Sequence, residues 1–427
     1  MFSAVIRHSR ALAVWASLML VCGPSLRAAG AGESSAAAGS KVSVLADAPD
    51  WKWLERAAGV LTRAEFEAAL QTLYAPDDAT RACVQIGAQT VRIRTRGAEW
   101  KEIAFASESR GNSARLAGFW RPAHEMAPAP ASAPLTGVHV ALDPGHLGGQ
   151  WARMEERYFQ VGKSRPVTEG DLTLAVARRL GPQLQRLGAK VTLLRASDNP
   201  VTRERPATLV PAATADLESG ANKQRIQTHS EMMFYRISEI RARAQLVNET
   251  VRPDVVVCLH LNAEDWHDPQ NPKLLPRNHL HALINGCYGA RELEWDDVRS
   301  EMLAHIFAGT ASESLALTEH VVEALAEESG LPPFTYFSSN ARRVGESPYV
   351  YARNLLANRL YQAPVVFLEP YVMNSAPVWK RVQLGDYWGQ REIDKIPHSS
   401  LVREYADAVA EGLARYYRAN RPASPRR

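Results

Sequence analysis

The chain of 427 residues is poor in cysteine, with four in all. Cys83, Cys258 and Cys287 lie far apart and no Cys-x-x-Cys spacing occurs. That excludes a disulfide framework and a cysteine-based metal knuckle. Charge of one sign is also missing, since Lys plus Arg number 50 against 46 Asp plus Glu. No nucleic-acid partner is expected from such a balance. Beyond the first two dozen residues no apolar run is long enough to span a bilayer, so the mature chain should carry no transmembrane segment. There is no internal repeat, no Walker loop and no GxSxG elbow, which removes repeat architectures, phosphate-cradling loops and the serine-hydrolase turn.

What is present starts at the N-terminus. Arg7 and Arg10 precede an apolar run from Ala11 to Cys22, and small residues follow through Ala28-Ala29-Gly30-Ala31. This is the outline of a secretory signal peptide over residues 1–29, and it predicts an exported protein of the periplasm or cell envelope. Val21 before Cys22 is bulkier than a lipid-attachment motif wants, so cleavage near Ala29 is expected instead. Residues 30–41 read as a flexible tether.

Residues 42–123 read as a small α+β module. Thr62-Arg63-Ala64-Glu65 opens a helix with Phe66, Leu70 and Leu73 on one face. Residues 83–86 and 90–93 alternate like strands around Gly87. Core packing is the expected use of Trp51, Trp53 and Trp100. A Pro/Ala-rich stretch, 124–136, reads as a linker to a catalytic domain over 137–420.

That domain is organised around residues 138–146, an apolar strand that stops at Pro144-Gly145-His146. A helix follows, with Leu172, Val176, Leu180, Leu184 and Leu187 on one face, Thr168 as N-cap and Gly188 as stop. A second strand covers 190–194. This alternation predicts an α/β fold with a mostly parallel sheet flanked by helices, preceded by the small α+β module. Residues 255–262 form a further buried strand with His260 at its carboxyl end. Residues 279–284 read as another strand and 315–325 as a helix. Residues 364–370 form a strand ending in Glu369, and a C-terminal helix spans 401–417. An ionised carboxylate at the end of a buried strand is costly unless it is paired or working.

Ligands in open α/β sheets bind at the carboxyl ends of the strands. Three strand ends deliver His146, His260 and Glu369, and a helix mouth delivers Glu169. Two imidazoles and one carboxylate suit a catalytic Zn²⁺ with one position left for water. A second carboxylate then moves the proton from water to the leaving nitrogen. Spacing alone does not choose the ligand among the acids, and Glu155, Glu156 and Glu264 remain alternatives.

At these residues the sequence resembles the zinc-dependent N-acetylmuramoyl-L-alanine amidases of the amidase_3 type. Leu142-Asp143-Pro144-Gly145-His146 resembles the family's DPGH strand end. Thr168-Glu169-Gly170-Asp171-Leu172 resembles its Glu before an apolar helix. Cys258-Leu259-His260-Leu261-Asn262 is similar to its S-x-H-x-N block, and Val366-Phe367-Leu368-Glu369 with Asn374 to its late catalytic strand. The resemblance implies that His146, Glu169 and His260 bind zinc and that Glu369 is the general base. It implies hydrolysis of the amide between N-acetylmuramic acid and L-Ala of peptidoglycan, with peptidoglycan as substrate and room for an activating protein partner. The rival readings are an exported zinc peptidase or deacetylase acting on another amide, and a non-catalytic cell-envelope binding protein. Residues 203–233 interrupt the strand–helix rhythm. They are expected to form either a plain loop or a lid that brings Glu218, His229 or Glu231 to the metal.

Overall fold

The structure, a computed structural model, describes residues 40–109, 111, 115–268 and 271–423. The signal-peptide reading of 1–29 and all but the last two residues of the tether lie outside these. Among the described residues no helix is long and apolar enough to cross a membrane.

A seven-stranded sheet forms the centre. Its spatial order is Arg342–Arg343, Val350–Ala352, Leu280–Ile284, Val365–Pro370, Val255–Leu259, His139–Pro144 and Lys190–Leu193. The last four run parallel to one another. Leu280–Ile284 runs against Val365–Pro370 and carries Val350–Ala352 parallel to itself. The fold is thus α/β with a mostly parallel sheet, as the strand–helix rhythm predicts. Side chains alternate between two covered faces. Val140, Leu142, Val257, Leu259, Val366 and Leu368 face helices Glu169–Arg186, Thr310–Ser329 and Leu401–Asn420. Ala141, Val256, Cys258, Val365 and Phe367 face Ala244, Val247, Ala357 and Tyr361 on the other side. Burial on both faces is why these strands read as nearly unbroken apolar runs.

Helix Glu169–Arg186 begins and ends where the sequence places it. Thr168 holds the extended N-cap conformation, but its hydroxyl donates to the Asp171 carboxylate rather than accepting a backbone N–H. Gly188, at φ 98°, turns the chain away after the helix. The long helical run before Val255 starts at Lys223, capped by Asn222, and carries π-turns over Phe234–Ser238 and Leu246–Val251.

Residues 203–233 are not loop-like. They form helices Pro206–Asp216 and Lys223–Met233, packed as a hairpin. Leu209, Ala213, Met233, Phe234 and Ile237 close a small core over Leu147, with Trp151 beside it. The apolar positions are few and spread between two short helices, so neither segment alone shows a full helical stripe.

The N-terminal helix Arg63–Ala69 opens on a capping box made by Thr62 and Glu65, in which each side chain satisfies the other's backbone N–H. Beside it lies an antiparallel sheet of Val84–Ile86, Thr90–Arg94 and Trp100–Ala104. Phe66, Val91 and Ile93 share one core with Val298, Met302, Leu303, Ile306 and Phe307 of helix Asp296–Ala308. Trp51 is buried in this core, and Trp53 stacks edge-on to Phe307 while its indole N–H donates to Ser300.

Phe307 lies 5.6 Å from Phe66, ring to ring, across that shared core. Phe307→Ala should therefore lower stability by about 3–5 kcal/mol. Denaturant unfolding of the whole chain measures it, and a loss under about 1 kcal/mol would mean that the two parts are not packed as described.

Candidate active site

The site stands at the carboxyl ends of three neighbouring parallel strands. His139–Pro144 and Val255–Leu259 pair in register, with Pro144 opposite Leu259, so the turns that follow deliver His146 and His260 side by side. Their rings lie 5.3 Å apart. Glu169, the first residue of its helix, reaches both: His146 Nε2 is 3.2 Å from its Oε2, and His260 Nδ1 is 3.1 Å from its Oε1. Ligand atoms of these three residues all fall within 4.8 Å of one another, the one such group among the described residues.

Backbone geometry explains how the turn is held. His146 takes φ 57°, a left-handed conformation that a non-glycine residue adopts only under constraint. Two buried arginines supply that constraint. Arg243 donates to Asp143 at 2.7 Å, to the Pro144 carbonyl at 2.8 Å and to the His146 carbonyl at 3.1 Å. Arg195 donates to the carbonyls of Gly145 and Gly170. Gly145 is required by space, because a Cβ there would come within 2.3 Å of the His260 ring.

The acids left open as alternative ligands sit elsewhere. Glu155 is buried and accepts the N–H groups of Leu147 and Gly148, with an oxygen 3.7 Å from His146 Nδ1. It supports the loop and the ring. Glu156 faces Arg236 at 3.5 Å. Glu264 pairs with Arg277 and His279. In the helical hairpin His229 bonds Asp216 and Glu231 accepts from Gln227, and neither joins the group around Glu169, nor does Glu218. The hairpin instead packs against Leu147, the residue after His146.

Glu369 ends the strand on the other side of Val255–Leu259. Its side chain lies on the same sheet face as Phe367, whose ring stacks on His260 at 4.4 Å. The carboxylate is 1% exposed, and neither oxygen has a hydrogen-bond partner. Asn374 does not point at the site. It is fully buried and binds the backbone of Glu264 through both amide atoms, which pins the loop after His260.

Electrostatics separates the two glutamates. Burial pushes Glu169 up, but His146, His260 and Arg157 outweigh it and hold the carboxyl near 2. Arg157 Nε lies 3.1 Å from Glu169 Oε2. Glu369 is raised to about 7 by burial, with Glu169 adding repulsion, against weaker relief from His260, Arg157 and Arg353. Environments that drive paired carboxyls apart suit one to stay charged and the other to exchange a proton. Burial lowers His146, whereas Glu169 and Glu369 raise His260 despite its burial.

Sequence reasoning passed over Arg157, Arg195 and Arg243. A signal existed for the last: Arg243 falls inside the helical stripe of Ile240, Ala244 and Val247, and a cation there calls for a buried partner.

Fold and site together define a hydrolase built on an α/β sheet with a His–Glu–His group fit to hold a metal. Residues 140–271 match the family model Amidase_3, described as N-acetylmuramoyl-L-alanine amidase, and with that match the chain is a hydrolase acting on the amide between N-acetylmuramic acid and L-Ala. The match takes in His146, Glu169 and His260 and stops short of Glu369. Solved structures similar to the chain include the amidase Ami1 from Mycobacterium smegmatis, with 17% identity over 67% of this chain and 99% of that one and a TM-score of 0.37. The CwlD amidase from Clostridioides difficile, solved in complex with the GerS lipoprotein, shows 15% identity over 66% and 100%, with a TM-score of 0.36. AmiC2 of Nostoc punctiforme shows 16% identity over 66% and 97%, with a TM-score of 0.33. A search of curated proteins found no match.

Two outcomes follow from this geometry. Gly145→Ala should displace His260 and abolish tight metal binding, read by metal content after dialysis; a stoichiometric metal load would contradict the packing. The raised carboxyl of Glu369 favours its neutral form in the fold, so its contribution to stability is present at acid pH and is lost as pH rises through about 7. In metal-free protein Glu369→Gln should therefore raise the Tm at about pH 8 and change it little at about pH 4. Calorimetry at both pH values checks this, and an equal shift at both would remove the electrostatic explanation.

Proposed function

We propose that this amidase is exported and zinc-dependent, that His146, Glu169 and His260 hold the metal, and that Glu369 is the general base of a catalytic domain spanning 137–420. The observation that carries this is the buried Glu369 carboxylate, without a hydrogen-bond partner and beside the three ligand residues. Two imidazoles and a carboxylate, all nitrogen and oxygen donors, suit Zn²⁺ better than softer or harder cations. Bound there, zinc would lower the pKa of water and polarise the amide carbonyl.

The remaining work falls to the chain. Glu369, poised near neutrality, takes a proton from the attacking water and gives it to the nitrogen of L-Ala as the amide bond breaks. Glu169 stays ionised, because two imidazoles and Arg157 face it. Arg243 and Arg195 hold the backbone that aims His146, so its strained turn costs no reorganisation during the reaction. The closed surroundings of Glu369 keep bulk water from the proton it carries.

His146→Ala and His260→Ala should each lower zinc content and hydrolysis of purified peptidoglycan together. Glu369→Ala should keep zinc but lose about 10²–10⁴-fold in turnover. Mass spectrometry of the products tests the bond: free stem peptides and peptide-free glycan are expected. Cleavage inside the stem peptide, or release of acetate alone, would favour a peptidase or deacetylase.

A further inference from the structure

A second polar cluster adjoins the base. His281, in the strand antiparallel to Val365–Pro370, stands directly opposite Glu369 in register. Directly opposed residues share one face of a sheet, with Cβ atoms roughly 5 Å apart. His281 is 2% exposed, and its Nε2 is 2.9 Å from the Tyr336 hydroxyl. Arg353 donates to the same hydroxyl at 3.3 Å.

Those contacts assign the location of a proton. Arginine has donors only, so the Tyr336 oxygen accepts from Arg353. The one remaining partner for its own proton is His281 Nε2 at 2.9 Å, and satisfying the hydroxyl assigns that nitrogen as the bare one. Burial, with His279 and Arg353 nearby, drives the imidazole well below its usual pKa, so the ring is neutral and its single proton sits on Nδ1. Nδ1 is buried and, among the described residues, has no hydrogen-bond partner. Both oxygens of Glu369 are in the same condition. A buried donor and a buried acceptor without partners thus sit on facing residues. Leaving either unmet is costly, and phenylalanine or leucine would fill the histidine's place at less cost if packing were its only task.

We propose that His281 is a positioning residue for the base: the two groups are not bonded in this structure, and a turn of the Glu369 carboxylate onto the His281 Nδ1–H in the working site would hold it in orientation, with Tyr336 and Arg353 fixing the tautomer. The inference rests on Glu369 acting as the general base. Phe334 packs on the cluster, with its ring 4.5 Å from that of His279 and 5.0 Å from that of His281.

Asparagine and glutamine tell a positioning role from a packing role. The Asn amide nitrogen overlies the Nδ1 position of histidine, and the Gln amide reaches the Nε2 position. On purified peptidoglycan, His281→Leu and His281→Gln should lose about tenfold to a hundredfold in kcat, the effect of one hydrogen bond to a charged group. KM and zinc content should stay at wild-type values, and His281→Asn should retain most of the rate. Adding His281→Leu to Glu369→Ala should cost nothing further, because the two act as one unit. The tautomer is read without any activity: ¹⁵N NMR of labelled imidazole should show a neutral ring protonated at Nδ1. A ring protonated at Nε2, equal losses in the Asn and Gln variants, a loss confined to KM, or additivity with Glu369→Ala would each overturn the proposal. A wild-type chain inert on peptidoglycan would refute the activity and leave the NMR result to decide the tautomer on its own.

Discussion

The active site depends on one buried ion pair. Arg243 and Asp143 meet at 2.7 Å with both side chains about 5% exposed. Breaking a buried pair by removing one partner leaves an uncompensated charge and typically costs about 3–5 kcal/mol. Here the pair is also satisfied on every side. Asp143 accepts from Tyr361, and Arg243 adds Glu239 and the carbonyls of Pro144 and His146. Desolvation works against the arginine's charge, but Asp143 and Glu239 more than compensate and raise its pKa. The result is a rigid cation beneath the turn that carries His146, and the left-handed backbone of that residue persists because the surrounding hydrogen bonds over-determine it.

From this support the site is layered outward. Arg243 and Arg195 fix backbone carbonyls, Glu155 fixes N–H groups of the loop beyond, Tyr405 binds the His260 carbonyl and Asn374 the backbone of Glu264 after it. Only then come the side chains that do chemistry. A site whose ligands come from turns after strands would otherwise inherit the mobility of loops, and these contacts transfer the stiffness of the sheet to them. The same sheet separates the two carboxylates electrically. Glu169 projects from a helix mouth between two imidazoles and Arg157, whereas Glu369 ends a strand in the buried interior without a hydrogen-bond partner. One amino-acid type is thereby driven to two opposite ionisation tendencies by environment alone.

The helical hairpin of residues 206–233 and the N-terminal sheet are additions to that plan, and each is tied to it by packing. The hairpin reaches the site through Leu147, and the N-terminal core joins the sheet through helix Asp296–Ala308 and through Leu73 and Tyr74, whose carbonyls accept from Cys287 and Tyr288. Neither contributes a ligand atom to the group around Glu169. Trp51 and Trp53 are spent on the core, which leaves the N-terminal sheet a packing role in the described structure.

The five longer strands of the central sheet, the strand–helix rhythm and the strand-end residues His146, His260 and Glu369 were legible in the sequence by itself. Their cause is local: strands buried on both faces must be apolar throughout, so a His or Glu at the end of such a run stands out, and a turn must carry Gly or Pro where the chain leaves the sheet. Other features came only with tertiary structure. Which acid joins the two histidines was open among Glu155, Glu156, Glu169 and Glu264, because spacing along the chain does not report distance in space. The hairpin hid its helices because its apolar side chains are shared with Leu147 and Trp151 far along the sequence. His281 looked like one more residue of a strand. It acquired meaning through an antiparallel register that sets it against Glu369, and through a tyrosine and an arginine from two other segments that decide where its proton sits. Pairing between strands distant in the chain is a property of the folded sheet, and no local pattern encodes it.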